Sequence, residues 1–493
     1  MIKKAIFILL LVCILSNPIV ATTQISENKI SNPQKISEMQ IQITQHGIID
    51  INGDVSKLIL NLSIPQNTEN QIINSIQTTH NYEIITDKYN NQIMKLVFNN
   101  PSNKIDFTVK TDITIKRRTK YPARFNKGYL LPTRLVESDS LEISKLANDF
   151  KESNDIYKIF KIAKWVNKYI TYDESYVSVN LSATNILNKK KGTCDEYSVL
   201  FLSLIRNMGY ASSYVAGYAY SKDRFIPHGW AEVYYNDYTI DVDPTWGEAG
   251  FLDATHIKFA NLPDAVYSEA AFTAEGYNNF DVTIKNLDTN IKIISFKEDS
   301  LVSMKSSLLE DEISNGYAVV KNDFYYDGCI LLKITNQGCT YDSKEFVTPI
   351  NKDQLIYFCN NKTLFSIFSL PDTERYSYVC PLNIINYAGN DNVINVKIYP
   401  KKEQSVSLSI DKSTITPNEK YIVKAPNCHI FTDYGDYAFG YGEFLAGYDN
   451  FNVYAYNKGY LQSQQIKVID STPIELILET KNKYYLNSPV LFN

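Results

Sequence analysis

Residues 192–218 read GTCDEYSVLFLSLIRNMGYASSYVAGY, and the order of elements in this stretch decides the fold. Helical spacing starts at Cys194 and puts Val199, Leu202 and either Leu204 or Ile205 on a buried face. Gly209 suits the end of that helix, and a strand follows over 213–220. Gly192-Thr193 leads the sulfur of Cys194 onto the first turn. Thiols react as thiolates, and an ordinary cysteine with a pKa of ~8.5 is mostly protonated at neutral pH. The free N–H groups and dipole of a helix start favour the charged form. Cys194 is therefore eligible as a nucleophile, although on this feature alone half of a disulfide is the better reading in an exported chain.

Working outward, Leu141–Phe150 and Asn154–Ile170 also have helical spacing. Ile156, Ile159, Phe160, Ala163, Val166 and Ile170 share one face, with Ser153 or Asn154 as the cap. Strands are expected at 229–235 and 238–242, joined by an Asn236-Asp237 turn. Helices followed by an antiparallel sheet predict an α+β domain over 130–285. Short alternating runs such as Met39–Ile43 and Lys57–Leu62 read as separate antiparallel strands of an N-terminal β-sandwich over 38–120. Residues 286–400 read as a β-rich domain with four cysteines, 401–472 as an immunoglobulin-like β domain, and 473–493 as a C-terminal strand segment. A chain of 493 residues is long enough for three or four such domains.

The first 21 residues carry Lys3 and Lys4, an apolar run from Ala5 to Leu15 and Ile19-Val20-Ala21, which is the pattern of a signal peptide. Cleavage after Ala21 is expected, with an uncleaved anchor as the alternative. Residues 22–37 read as a polar linker. The chain is expected to be secreted or displayed at the cell surface, touching a membrane only if the leader stays as an anchor. With 49 basic against 54 acidic residues, no basic face is indicated, and nucleic acid is not expected as a partner. No cysteines are spaced C-x-x-C, so neither a metal nor another cofactor is expected.

Two further stretches change the odds for Cys194. His228 opens HGWAEVYY (228–235), at the mouth of a strand from which an imidazole can lean towards a helix end. Asp243 closes the next strand in DVDPTW (241–246), and the short turn between the strands returns it to His228. A carboxylate there would fix the imidazole tautomer and stabilise the imidazolium. Asp241 lies on the same strand face, so spacing alone does not choose between the two aspartates.

The three blocks in this order, GTCDEYSVLFLSLIRNMGYASSYVAGY, HGWAEVYY and DVDPTW, resemble the transglutaminase-like superfamily over roughly 130–260. The resemblance implies a papain-like core and a catalytic set of Cys194, His228 and Asp243. In it the cysteine attacks an amide carbonyl, the histidine moves the proton and the aspartate orients the histidine. The family's aspartate precedes Pro-Thr, which selects Asp243. Gly229 departs from the alanine usual after the histidine, and Asp237-Tyr238 from the usual Gly-Trp. A second oxyanion donor beside the N–H of Cys194 cannot be placed by motif. Asp195 and Glu196 read as helix-start charge, and His256 as structural. Trp230 and Trp246 either wall the cleft or pack beneath the sheet.

With Cys194 free, at most two disulfides remain. Cys329 with Cys339 and Cys359 with Cys380 are the neighbours in sequence, and Cys428 is left over. The expected function is cysteine-dependent acyl transfer on amide bonds of a protein or peptide substrate, at a cell surface or wall, with hydrolysis favoured over cross-linking to an amine. The competing reading is a non-catalytic surface-binding or scaffold protein that keeps the fold.

Overall fold

The computed structural model describes residues 30–469, apart from 123–126, 151, 153, 315, 343–344, 372 and 403. The expected signal peptide and the expected strand segment at 473–493 lie outside the described residues. Among the described residues, no helix is long and apolar enough to cross a membrane.

The two runs expected as separate strands near the N-terminus are the two ends of one strand, Ile36–Ser63. The polar and glycine-bearing middle suggested a break, but each glycine has a place in the strand. A side chain at Gly47 would strike the ring of Phe107 at 2.5 Å, and Gly53, at φ +95°, sits at a shift in register. One edge of this strand pairs along its length with Ala270–Glu298. The other edge pairs first with Lys104–Lys116 and then with Gln92–Asn99.

That pairing corrects the boundary expected at residue 285, which falls inside the strand Ala270–Glu298. The physical cause is the free edge of Ile36–Ser63, whose N–H and C=O groups need partners. The chain returns to supply them after building the helical domain, so that domain is inserted into the N-terminal one. The polar linker also proves shorter than 22–37. Ile30 is buried, Asn32 caps a short helix at Pro33–Lys35, and Gln34 is buried.

The inserted domain contains the helices Leu141–Ala147, Asp155–Tyr169, Ala183–Lys189 and Cys194–Asn207. Asn154 is the cap of the second, its side chain accepting from the N–H groups of Ile156 and Tyr157 at 2.9 and 3.2 Å. An antiparallel sheet follows in the order Ile257–Leu262, Ala211–Ser221, Arg224–Tyr235, Tyr238–Asp243 and Glu248–Ala249. The helix Cys194–Asn207 packs against it, and its Val199, Leu202, Leu204 and Ile205 belong to the same buried core as Ala231, Val233, Ile240 and Val242 of the sheet. Each such aliphatic side chain contributes about 1.5–3 kcal/mol. This burial fixes the first turn of the helix over the end of the sheet.

The sheet continues into the next domain through Ala249 beside Leu331. Cys329–Asp342, Glu345–Cys359, Tyr378–Asn386 and Asn392–Ile398 extend it, while Ser303–Leu308, Tyr317–Tyr325 and Lys362–Ser369 form a second layer. Phe324, Leu332, Phe358, Leu382 and Val396 fill the space between them as a sandwich core. Its disulfides are Cys329–Cys359 and Cys339–Cys380, not the sequence-adjacent pairs expected. Register decides this: Cys329 stands directly opposite Cys359 in an antiparallel pair. The fold is thus an α+β core flanked by β-sandwich domains.

Residues from Lys401 onward make a separate compact unit. Lys420–Thr432, Tyr437–Leu445, Phe451–Asn457 and Tyr460–Val468 are its main strands, around a core of Tyr421, Val423, Ile430, Val453 and Ile466. Cys428 is buried there.

Candidate active site

Cys194 is the first residue of its helix, and its thiol is free. The turn before it is held by Glu196, whose carboxylate accepts from the N–H and the hydroxyl of Thr193 at 2.7 and 3.0 Å. Gly192 serves close packing here. A β-carbon on it would lie 2.3 Å from the β-carbon of Glu196. Glu196 is therefore the fastening of the helix start, in line with the reading of helix-start charge.

The sulfur of Cys194 receives the backbone N–H of Gly229, and the thiol faces Asp195 Oδ1 at 3.8 Å. Burial, followed by the charge of Asp195, pushes this thiol well up, and the Gly229 N–H opposes them. Asp195 is itself raised by burial and takes the hydroxyl of Tyr214 at 2.6 Å. That hydroxyl explains Gly229, because a β-carbon at 229 would lie 2.0 Å from it.

His228 is buried and its Nε2 lies 2.8 Å from Oδ2 of Asp243. The other oxygen, Oδ1, accepts the N–H groups of Thr245 and Trp246 at 2.8 and 3.2 Å, so the Pro-Thr turn clamps the carboxylate. With Nε2 committed to Asp243, Nδ1 is the nitrogen left for proton exchange. Burial alone would raise Asp243, but His228 and His256 hold it well below the usual carboxylate range. Asp241 belongs elsewhere. It takes the hydroxyl of Tyr121 at 3.2 Å, in a buried network where Lys258 meets Glu232 at 2.6 Å.

Trp246 stacks on the His228 ring at 4.4 Å and 11°, and it lines a cavity of about 580 Å³. Trp230 is fully buried in a cluster with Val215 and Leu252. Trp230 thus takes the packing role, while the cavity beside Trp246 has neither Cys194 nor His228 among its lining residues. Tyr172, paired with Gly192 through a short parallel bridge two residues before Cys194, is 47% exposed. Burial and then Cys194 raise its hydroxyl to about 12, so it is a donor at neutral pH. Neither Tyr172 nor Tyr214 carried a motif signal; Tyr172 is placed by pairing with Gly192, and Tyr214 by its bond to Asp195.

A profile for the transglutaminase-like superfamily matches residues 144–244, the span holding Cys194, His228 and Asp243. This chain carries a transglutaminase-like domain. A stretch of 139 residues, 25% of this chain, is 28% identical to the kyphoscoliosis peptidase of Mus musculus and covers 21% of that protein's length. Among solved structures, a Cytophaga hutchinsonii protein assigned as a cysteine protease is similar with a TM-score of 0.41 at 18% identity, over 53% of this chain and 93% of that one. The red sea bream transglutaminase gives a TM-score of 0.19 at 10% identity, over 86% and 93% of the two chains. The profile match and the stretch shared with the mouse relative support a transglutaminase-like domain in this part of the chain.

Two overlapping sets of buried atoms have a spacing that a cation could fit: His228, Asp243 and His256, and Glu248, Asp253 and His256, each within 4.8 Å. The ion pairs of His256 with Asp243 and Asp253 already balance charge within both sets.

Proposed function

We propose that the transglutaminase-like domain is a cysteine peptidase or amidase in which Cys194, His228 and Asp243 perform the chemistry. The observation that carries this reading is the 2.8 Å contact of His228 with Asp243, one residue from the amide that meets the Cys194 sulfur. His228 Nδ1 takes the thiol proton as sulfur bonds to the amide carbon. The imidazolium then protonates the leaving nitrogen, the C–N bond breaks and a thioester remains. Water, giving a proton to the same Nδ1, attacks the thioester; the C–S bond breaks and sulfur recovers its proton. Asp243 stabilises the imidazolium in both halves.

The tetrahedral oxyanion needs donors fixed before the reaction. The Cys194 N–H at the helix start is one, and the Tyr172 hydroxyl is the second in this reading. A thiol pushed up by burial fits a proton transfer that occurs with attack, rather than a standing thiolate. Hydrolysis is favoured over transfer to an amine, and the name of the mouse relative, a peptidase, supports that choice. The two disulfides support an oxidising compartment such as the cell exterior, where the substrate would be a protein or peptide.

The experiment is digestion of a peptide library by wild type and Cys194→Ala, with and without a primary amine, followed by mass spectrometry. Hydrolysis yields new carboxyl termini in wild type alone. Amine-tagged products in place of them would assign cross-linking.

A further inference from the structure

Asp243 has a second imidazole on it. His256, fully buried at the start of the strand Ile257–Leu262, brings Nε2 to 3.4 Å from Asp243 Oδ2, the same oxygen that holds His228. Its Nδ1 lies 3.5 Å from Asp253 Oδ1, which also accepts the N–H of Thr255 at 2.7 Å. The His256 ring meets Trp230 and Trp246 edge-on at 5.2 Å each, and its centre is 5.8 Å from that of His228. Arg118 fixes its backbone, Nη2 donating to the His256 carbonyl at 3.2 Å. Both nitrogens thus face carboxylates inside a rigid apolar box.

We propose that His256 is a positioning residue for the reaction proposed above, and that Asp253, His256, Asp243 and His228 form one buried chain in which the two imidazoles share one oxygen of Asp243 and each limits the hold of that oxygen on the other. The physical reason is division of a single oxygen between two imidazoles. A cation on the far side of Asp243 weakens its pull on the His228 proton, and like charge at 5.8 Å between ring centres repels an imidazolium at 228. His228 then releases its proton to the leaving group more readily, while the carboxylate stays ionised and cannot turn away.

The charges that face His256 agree with this assignment. Asp243 and Asp253 are the acids on its nitrogens, and Glu248 is the third acid nearby. Burial and then Asp253 push the Glu248 carboxyl well up, His256 opposes them, and Gln34 donates to it. Arg117 acts on Asp253 and Glu248, and Arg118 and His228 are the other cations. Burial works against charge on His256, but Asp253, followed by the Asp243 hydrogen bond, overcomes it and raises the ring to about 10.

The test follows imidazole protons by NMR titration in the full chain carrying Cys194→Ala, which removes the thiol from the equilibrium. The five histidines make this resolvable, since His46, His80 and His429 lie outside the cluster. The expected result is that His256 stays protonated past pH 8 and that His256→Gln moves the His228 midpoint up by about one unit or more. A neutral His256 at pH 7, or a His228 midpoint unmoved by the substitution, overturns the proposal. If His256→Gln does not fold, Asp253→Asn is read instead: it must lower the His256 midpoint, and an unchanged midpoint also overturns the chain. No turnover is measured, so an inert wild type would sink the enzyme reading while leaving this result to stand or fall by itself.

Discussion

The hydroxyl of Tyr214 donates to Asp195 beside the nucleophile and occupies the space that a methyl on Gly229 would need. Two strands and a helix start are locked together by this contact. Gly229→Ala should therefore displace the tyrosine ring, disturb Asp195 and destabilise the fold by about 1–3 kcal/mol. In a double-mutant cycle, Tyr214→Ala should recover part of that loss, with a coupling of about 0.5–3 kcal/mol. Urea unfolding of the four proteins measures it. Additive losses would show that the two positions do not compete.

Asp243 carries two buried imidazoles and two backbone N–H groups. Asp243→Asn keeps the shape but removes the charge and can present an amide donor to His228. We expect kcat to fall by about 10⁴, as for a wrong imidazole tautomer. Stability should fall by about 3–5 kcal/mol, because a buried ion pair loses one partner. Steady-state kinetics and thermal unfolding together check both outcomes.

Tyr172→Phe removes a hydroxyl and little else, since the ring is half exposed. As an oxyanion donor, its loss should lower kcat about 100-fold or more with little change in KM. A change in KM alone would make it a substrate contact instead.

The pH dependence of stability carries a sign that can be checked. His256 is raised in the folded state to about 10, from about 6.5 when unfolded. The unfolded chain therefore loses the proton first, so this stabilisation is complete below about pH 6.5 and is lost as pH rises through about 10. Asp243 behaves in the opposite sense. Its folded value is depressed, so its contribution is present above about pH 3.9 and disappears only as pH falls through the lowered value. Urea midpoints from pH 6 to 10 should show a downward slope in wild type that is reduced in His256→Gln.

The three residues proposed to react were legible because each sits at a local landmark: a helix start, a strand mouth and a Pro-Thr turn. The strand–helix order around Cys194 was legible for the same reason. What failed to show in sequence was long-range pairing. Ala270–Glu298 returns to Ile36–Ser63 across more than two hundred residues, and its polar middle gives no sign of a sheet partner. Cys329–Cys359 follows hairpin register and Cys339–Cys380 joins two neighbouring strands that are not consecutive in sequence, so proximity in sequence picked the wrong partners. Gly229 was visible as a departure from its family, but its cause stands on the neighbouring strand. His256 looked structural because one histidine already filled the proton-transfer role, and only the packing shows that both share one carboxylate oxygen.

The central claim is that Cys194 attacks an amide with His228 as its base. The direct measurement is cleavage of a proteome-derived peptide library by wild type, Cys194→Ala and His228→Gln, counted as new termini by mass spectrometry. Wild type should generate new termini, and both variants should fall by at least about 10³-fold. Cleavage that survives in Cys194→Ala, or a wild type that cleaves no peptide in the library, would contradict it.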